Sequence, residues 1–313
     1  MSYSDEVLSV PEEGLLDSID ARTNLAGSNK MEILLFGLGD GEKFGINVFK
    51  IKEVCNPGKI TRTPNMPFGV DGIVSLRGHV MPVLNLAHFI GVKSAGKYQT
   101  MMVAEFNQHI LGFLVESVDK IIRVDWDRVR ATDGMLTDKG MLISAITELP
   151  DGSLISILDV EQILACAFGE ALVGNIEPVE SGHELCVFFV DDSQVARKKI
   201  VEVLDKMGVR HIQAVNGRAA WDSLKSMADT HADGNLRDQI QVILTDAEMP
   251  EMDGYVLTQM IKADPRFEGI PVVMHSSLSS DANRAMGRRA GVDFYVPKFD
   301  ACMFADTLRP LLT

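Results

Sequence analysis

From Met31 onward, the apolar residues come in short runs that Gly, Pro, Asn and Asp interrupt. The runs lack the three-to-four-residue period of an amphipathic helix, so they are typical of short β-strands. Several such strands at close spacing predict an all-β sandwich or a pair of small barrels. A helix over Val160–Phe168 closes this part of the chain. The runs are MEILLFGLG, EKFGINV, GIVSLRG, HVMPVLNL, TMMVAEF, HILGFLVESV and SLISILDV.

The pattern changes after Glu184, where the apolar runs become continuous: CVFFV, QVILT, IPVVMH and VDFYV. Continuous apolar runs are typical of strands that are buried on both faces of a parallel sheet. Amphipathic helical segments alternate with these strands, which predicts an α/β fold with a doubly wound, flavodoxin-like sheet. The helical segments are Ser193–Lys206, Arg218–Asp229, Tyr255–Ala263 and Asp281–Ala290.

These changes divide the chain into four parts. Residues 1–29 are mostly polar and are interpreted as an N-terminal tail, and residues 30–168 are predicted to form the all-β domain. Residues 169–183 contain Gly, Pro and Glu without a strong period, which is typical of a short, semi-flexible linker. Residues 184–313 are predicted to form the α/β domain. The length of 313 residues also favours two domains.

Composition and charge disfavour several function classes. Hydrophobic residues make up 46% of the chain and charged residues 24%, as in ordinary globular proteins. The formal net charge of −14 disfavours binding to nucleic acid. The chain shows no signal-peptide pattern and its apolar runs are too short to span a bilayer, so we expect a cytoplasmic protein without membrane insertion. The four cysteines are widely spaced and show no zinc or disulfide pattern.

Polar residues stand where the four continuous strands end. Asp191 and Asp192 follow CVFFV, Asp246 follows QVILT, Ser276 ends the third strand, and Lys298 follows VDFYVP. Because the carboxyl ends of parallel strands meet at one edge, three carboxylates would repel one another there by about 4 kcal/mol per pair at 4 Å and an effective dielectric of about 20. Hard oxygen ligands favour Mg²⁺ as the compensating cation. A single Asp at a strand end is more commonly a helix cap, but capping does not explain the joint pattern.

Four stretches of this half resemble a known family. FFVDDSQVARK, ILTDAEMPEMDGYVL, PVVMHSS and FYVPKF are similar to the motifs of response-regulator receiver domains, over about residues 184–313. The resemblance implies that Asp246 is the phosphoacceptor. It also implies that Asp191 and Asp192 hold Mg²⁺ together with Asp246 and the backbone carbonyl of Glu248.

The same resemblance implies which residues respond to phosphorylation. Lys298 would contact the phosphoryl group, Ser276 would follow that group as a switch hydroxyl, and Tyr295 would be the aromatic residue that moves with it. The sequence departs from the family at two positions. Glu248 places a further acid two residues after the acceptor, and Phe299 stands where the family usually has Pro.

The run GIVSLRGHVMPVLNLAHFIG carries an arginine and a glycine in an otherwise apolar stretch. Alone, this pattern fits a solvent-pointing arginine on a hairpin as well as an interface residue. Together with FGINVFKIKEV, MEILLF and ISILDVEQIL, it resembles the CheW family of chemotaxis coupling proteins, over about residues 31–168. The resemblance implies two five-stranded barrels side by side, which link methyl-accepting chemoreceptors to the histidine kinase CheA. It implies a receptor-facing segment with Gly72, Leu76, Arg77 and Gly78, and a second partner-facing segment with Ile51, Glu53 and Val54.

A CheW-like domain followed by a receiver is the arrangement of the CheV coupling proteins. The resemblance implies a non-enzymatic chemotaxis adaptor at receptor arrays on the inner face of the membrane. Phosphorylation of Asp246 by CheA would regulate it, which would adapt receptor signalling. Other coupling proteins are further candidate partners.

Four other functions compete with this interpretation. The receiver could serve mainly as a phosphate sink for the kinase. An aspartyl-nucleophile phosphatase would need an acid two residues after its nucleophile, and the sequence DAE supplies one in Glu248. The paired acids Asp191 and Asp192 after the first strand and the missing cap domain argue against this function. A DNA-binding response regulator is disfavoured, since no helix-turn-helix follows the receiver and the charge is −14. No ATP-binding glycine loop is present, so we do not expect a kinase.

Overall fold

The computed structural model consists of two compact units, Lys30–Glu170 and Ala171–Thr313. Among the residues that it describes, no helix has both the length and the apolar character that crossing a membrane would require. The predicted tail, residues 1–29, lies outside the described residues. The described residues are 30–39, 41–92, 98–106, 109–131, 142–169, 173–231, 236–277, 281–298 and 300–313.

The first unit is built mainly of β-strands. They are β1 (Lys30–Gly37), β2 (Lys43–Asn47), β3 (Ile51–Cys55), β4 (Val70–Leu76), β5 (His79–Asn85), β6 (Thr100–Phe106), β7 (His109–Val115), β8 (Ser117–Asp125), β9 (Val129–Ala131), β10 (Ile143–Glu148) and β11 (Leu154–Leu158). The helices are α1 (Leu86–Ile90) and α2 (Val160–Phe168). The structure confirms the predicted helix α2, and Asp159 caps it by accepting a hydrogen bond from the Gln162 backbone N–H at 3.0 Å.

The strands of this unit form two sheets, each with its own apolar core. A six-stranded sheet has the order β8-β1-β2-β11-β10-β9, and a five-stranded sheet has the order β3-β6-β7-β5-β4. Trp126, Ile155 and Ile157 belong to the core beside the first sheet. Val83 and Met101 belong to the core beside the second.

The two outer strands of the five-stranded sheet approach each other across its open side. Thr61, which follows β3, exchanges two backbone hydrogen bonds of 2.9 Å with Ile73 of β4. Arg77, at the end of β4, places Nη2 2.9 Å from Oε2 of Glu53 in β3. Since the ends of the strand order are joined by these contacts, the sheet curls towards a barrel.

The second unit alternates strands and helices. Its strands are β12 (Cys186–Val190), β13 (Arg210–Ala214), β14 (Val242–Thr245), β15 (Val272–Ser276) and β16 (Phe294–Pro297). Its helices are α3 (Gln194–Met207), α4 (Gly217–Thr230), α5 (Gly254–Ala263), α6 (Asp281–Ala290) and α7 (Ala301–Leu312). All the strand pairs are parallel, in the order β13-β12-β14-β15-β16. The predicted doubly wound α/β fold is confirmed.

Both faces of this parallel sheet are buried, which explains the continuous apolar runs in the sequence. Val187 and Phe189 of β12 pack into one apolar core. Phe188 and Val190 of the same strand pack into another. Helices therefore cover the two sheet faces and leave the carboxyl edge of the strands to carry polar side chains.

Strand β13 and helix α7 are not among the elements predicted from the sequence. β13 is an edge strand, which pairs only with β12 among the described residues, and its sequence RHIQA is largely polar and only partly buried. An edge strand does not need the continuous apolar run that identifies a central strand. Helix α7 follows β16 closely, and Asp300 caps it through the Met303 backbone N–H at 2.9 Å.

Candidate functional site

Three carboxylates meet at the carboxyl edge of the parallel sheet. Asp191 and Asp192 follow β12, and Asp246 follows β14. The parallel register of β12 and β14, which pairs Val190 with Thr245, places these residues side by side. Each of the three acids offers a ligand oxygen, and these oxygens lie within 4.8 Å of one another. The structure thus brings together the acids that the sequence analysis singled out.

Lys298 enters this cluster from the end of β16. Its Nζ lies 2.9 Å from Oδ2 of Asp246 and 2.9 Å from Oδ2 of Asp191, and the residue is only 2% exposed. The Lys298 backbone N–H donates to the Ser276 carbonyl at 3.0 Å, which fixes it to the neighbouring strand β15. Three carboxylates against one ammonium group leave two negative charges in a buried site. A divalent cation would balance that charge.

The loop after β12 is held so that its two acids are available to the cluster. Ser193 is the cap of α3, since its hydroxyl accepts a hydrogen bond from the Ala196 backbone N–H at 3.4 Å. Arg197 donates from Nη1 to the backbone carbonyls of Asp191 and Asp192, at 2.8 and 2.9 Å. The helix cap is therefore Ser193, whose backbone N–H donates to Oδ1 of Asp191 at 2.9 Å, while Oδ2 of Asp191 lies 2.9 Å from Lys298 Nζ.

The backbone of the predicted phosphoacceptor is equally fixed. The Asp246 N–H donates to the Val190 carbonyl at 2.9 Å, and Oδ1 of Asp246 accepts from the Ala247 N–H at 2.7 Å. Gly254, at the start of α5, approaches so closely that a Cβ atom there would lie 1.8 Å from the Asp246 carbonyl oxygen. Only glycine allows this approach, so Gly254 of the Asp253-Gly254 pair determines how near α5 lies to Asp246.

The predicted switch residues also meet at this edge. Ser276 is buried at the end of β15, and its hydroxyl is hydrogen-bonded to the phenol of Tyr295 in β16. Burial raises the pKa of Tyr295 to about 12, while the hydrogen bond with Ser276 opposes this rise. Asp246 and Glu248 raise the same pKa further, so both acids act electrostatically on the Tyr295 ring.

In the first unit, the two predicted partner-facing segments lie next to each other. Arg77 is 72% exposed at its side chain, whereas its ion-pair partner Glu53 is 15% exposed. Arg77 and Gly78 form the two-residue turn between β4 and β5, with φ angles of +50° and +84°. A charged side chain in a left-handed conformation is uncommon, because the local backbone favours Gly or Asn there.

The other predicted interface residues differ in exposure. Val54 and Leu76 are half-buried. Ile51 and Gly72 are buried, so neither offers a contact surface of its own. A Cβ atom on Gly72 would lie 2.6 Å from the Thr61 carbonyl oxygen, so this glycine allows the strand ends to close.

Comparisons with known proteins agree with both halves of the structure. Residues 32–167 match the CheW-like domain, and residues 187–301 match the response regulator receiver domain. The chemotaxis protein CheV3 of Helicobacter pylori is 29% identical over 292 residues, which cover 90% of this chain and 94% of CheV3. CheV2 of the same organism is 26% identical, covering 96% of this chain and all of CheV2. CheY1 of Helicobacter pylori is 34% identical over 110 residues, or 35% of this chain and 81% of CheY1.

The chain belongs to the CheV family of coupling proteins. It is a chemotaxis signal-transduction protein that combines a CheW-like domain with a receiver domain. Receiver domains typically bind Mg²⁺ through an acidic cluster, and the donor set of this CheV-family chain fits that ion. Asp191, Asp192 and Asp246 would hold it. The contribution of the Glu248 carbonyl stays a prediction, and Phe299 lies outside the described residues.

Two residues near the switch escaped the sequence analysis. The guanidinium carbon of Arg284, in α6, lies 5.4 Å from the centroid of the Tyr295 ring, within the range of a cation–π contact. Tyr255 of α5 is 5% exposed, and its hydroxyl has no hydrogen-bond partner among the described residues. Burial is the main reason that the pKa of Tyr255 lies far above its usual value. Tyr255 follows the DG pair directly, which is a sequence signal, whereas nothing in the pattern of α6 marks Arg284.

Proposed function

We propose that this chain joins chemoreceptors to the histidine kinase CheA through its CheW-like unit, and that phosphorylation of Asp246 regulates the coupling. The observation that carries the proposal is the buried contact of Lys298 with Asp246 inside a three-carboxylate cluster. That cluster stands in the same chain as a CheW-like domain. A scaffold that is not phosphorylated would have no need for three carboxylates and a buried lysine at one sheet edge.

The chemistry that this site supports is phosphoryl transfer onto the protein itself. A carboxylate oxygen of Asp246 attacks the phosphorus of the kinase phosphohistidine, and a P–O bond forms as the P–N bond breaks. The electron pair of the broken bond stays on the imidazole nitrogen, which takes a proton from water. Lys298 supplies positive charge at the acceptor, 2.9 Å from its Oδ2. A bound Mg²⁺ would neutralise charge on the phosphoryl oxygens.

The switch follows from the charge that phosphorylation adds. A phosphoryl group on Asp246 offers three acceptor oxygens, and Ser276 and Lys298 are the nearby donors. If Ser276 donates its proton to that group, it no longer donates to Tyr295, and the phenol must become the donor or change partner. This exchange of partners is a two-state element, and partner affinity changes only if the two states differ in their contacts.

The coupling surface is proposed to include Glu53, Val54, Leu76, Arg77 and Gly78. The ion pair of Arg77 and Glu53 joins the receptor-facing segment to the second partner-facing segment. An exposed arginine beside half-buried apolar residues is a common interface anchor. Through it, the protein would be recruited to receptor arrays at the inner face of the membrane.

The test compares Asp246→Asn with wild type and with Asp222→Asn, which changes an exposed Asp of helix α4 as a matched control. With acetyl phosphate and Mg²⁺, a phosphate-affinity gel should show a shifted band for wild type and the control only. A shifted band for Asp246→Asn would refute the acceptor assignment.

The second step measures the coupling itself. The affinity for receptor–kinase complexes is titrated with and without acetyl phosphate, and kinase activity is followed in parallel. A typical coupling of about 1–3 kcal/mol would change the affinity roughly 5- to 150-fold for wild type, and not for Asp246→Asn. Phosphorylation without any change in affinity or kinase activity would identify the receiver as a phosphate sink instead.

A further inference from the structure

Residues 173–179 of the predicted linker lie against helices α3 and α7 of the receiver unit. Ile176 is only 8% exposed and belongs to the same apolar core as Met207 at the end of α3 and Leu312 at the end of α7. Val173 and Val179 pack against this core from either side. These three apolar residues stand three positions apart, and all three contact the apolar core of the receiver.

Backbone groups of the segment are held as well. The Val179 N–H donates to the Met207 carbonyl at 2.9 Å. Lys206, in the last turn of α3, donates from Nζ to the Val173 carbonyl at 2.7 Å and to the Gly174 carbonyl at 3.1 Å.

The last turn of α7 holds the other end of the segment. Arg309 donates from Nη1 to the Pro178 carbonyl at 3.1 Å and from Nη2 to the Glu177 carbonyl at 2.9 Å. Each end of the segment is thus fixed by a cation from a helix C-terminus.

We infer that residues 173–179 are a docked strap of the receiver, so that the predicted linker, residues 169–183, does not act as one free tether between the two units. A free linker of residues 169–183 could span about 50 Å when fully extended, and docking seven of those residues removes about 25 Å from that reach. The strap therefore shortens the part of the linker that is free to extend. A shorter tether raises the effective concentration of one unit at the other.

Helix α7 connects this strap to the acidic edge, the carboxyl edge of the sheet that carries Asp191, Asp192 and Asp246. Its cap, Asp300, stands two residues after Lys298, and Arg309 lies in its last turn. Any shift of α7 that follows phosphorylation would reach the strap through Arg309. This consequence rests on the proposed function, whereas the docking of the strap does not.

The docking is tested in the full chain by a distance measurement between its two exposed cysteines, Cys166 in α2 and Cys302 in α7. Spin labels are attached to them in a Cys55→Ser background, and Cys186 is buried and stays unlabelled. Electron–electron dipolar spectroscopy then measures the distribution of distances between the two labels. Compared with wild type, this distribution should be at least twice as wide in Arg309→Ala and in Ile176→Asp, and its mean distance should be longer. Arg210→Ala serves as the control, because the ion pair that it removes, with Glu184, does not involve the strap.

Hydrogen exchange on the same proteins reports the strap directly. The amide of Val179 should exchange about tenfold or more faster in Arg309→Ala than in wild type, since the loss of charge-assisted hydrogen bonds frees the segment. Exchange at the unprotected rate in wild type, or distance distributions that do not respond to either variant, would overturn the inference. Arg309→Ala changes a surface residue and keeps the test valid if Ile176→Asp does not fold.

A phosphorylation arm separates the two proposals. Strap variants should keep the wild-type rate of Asp246 phosphorylation and lose most of the phosphodonor response in the titration with receptor–kinase complexes. If wild type responds and the released variants respond equally, the regulatory role of the strap is refuted while the proposed function stands. If wild type is not phosphorylated but its strap is protected from exchange, the proposed function fails and the docking is supported.

Discussion

Replacing Arg77 by Asn separates the folding of the CheW-like unit from its binding. Arg77 and Gly78 form a two-residue turn in which both φ angles are positive, between the paired residues Leu76 and His79. Such turns favour Asn-Gly, because Asn tolerates the left-handed conformation better than Arg. That conformation costs an ordinary residue roughly 1–2 kcal/mol. Arg77→Asn should relieve part of this strain, about 1 kcal/mol.

The same change removes the ion pair with Glu53. Because the Arg77 side chain is 72% exposed, this pair contributes about 0–1 kcal/mol to stability. The two effects oppose each other, so the free energy of unfolding should stay within about 1 kcal/mol of wild type. Association with receptor membranes should weaken by about 1–3 kcal/mol, which is roughly 5- to 150-fold, because truncation removes the arginine anchor of the surface.

Urea unfolding and co-sedimentation with receptor-containing membranes check the two halves of this prediction. Arg130→Gln is the matched control, since it removes an exposed arginine from β9 in the other sheet. Unchanged co-sedimentation of Arg77→Asn would refute the role of Arg77 as an anchor. A large fall in the urea midpoint would refute the argument from turn conformation.

Three further predictions concern the receiver unit. Burial raises the pKa of Asp253 to about 6, so the folded chain binds this proton more tightly than the unfolded chain, and the contribution of Asp253 to stability falls as the pH rises from about 4 to about 6. Asp253→Asn keeps the helix cap but removes the buried charge, so its free energy of unfolding should exceed that of wild type by about 1–3 kcal/mol at pH 7 and by almost nothing near pH 4. Urea unfolding at the two pH values measures this difference. An equal difference at both would contradict the prediction. Gly254→Ala should lower the free energy of unfolding by about 2 kcal/mol or more and should slow phosphorylation by acetyl phosphate, because its methyl group would lie 1.8 Å from the Asp246 carbonyl oxygen. A melting temperature equal to that of wild type would argue against this close approach. Glu248→Asn should be phosphorylated severalfold faster, because a like charge near the anionic phosphodonor is removed; equal rates on a phosphate-affinity gel would mean that the side chain points away.

The receiver fold was predictable because its signals are local. Central strands such as β12 and β14 are buried on both faces, and their continuous apolar runs are visible in the sequence. The bounds of α3 and α5 could be predicted to within a residue or so, since Ser193 and Asp253 cap them. The edge strand β13 was missed because only one neighbour and partial burial constrain its side chains.

The acidic edge was predictable for a different reason. Parallel topology sends the carboxyl ends of the strands to one side, so acids at strand ends must meet there once the strands are placed. The contacts of Arg77 with Glu53 and of Arg284 with Tyr295 lack such a rule. They depend on how a sheet curls and how a helix lies over it, and neither is encoded in residue spacing.

The linker shows how composition can mislead. Gly, Pro and Glu between residues 169 and 183 are typical of a flexible connection, but three apolar residues at a spacing of three dock the segment on the receiver. The docking depends on α7, an element that the sequence analysis did not name. The same helix begins beside Lys298 and ends at the cation that holds the strap. One helix therefore connects the site of phosphorylation with the docked strap, which gives a change at the carboxylate cluster a physical route to residues 173–179.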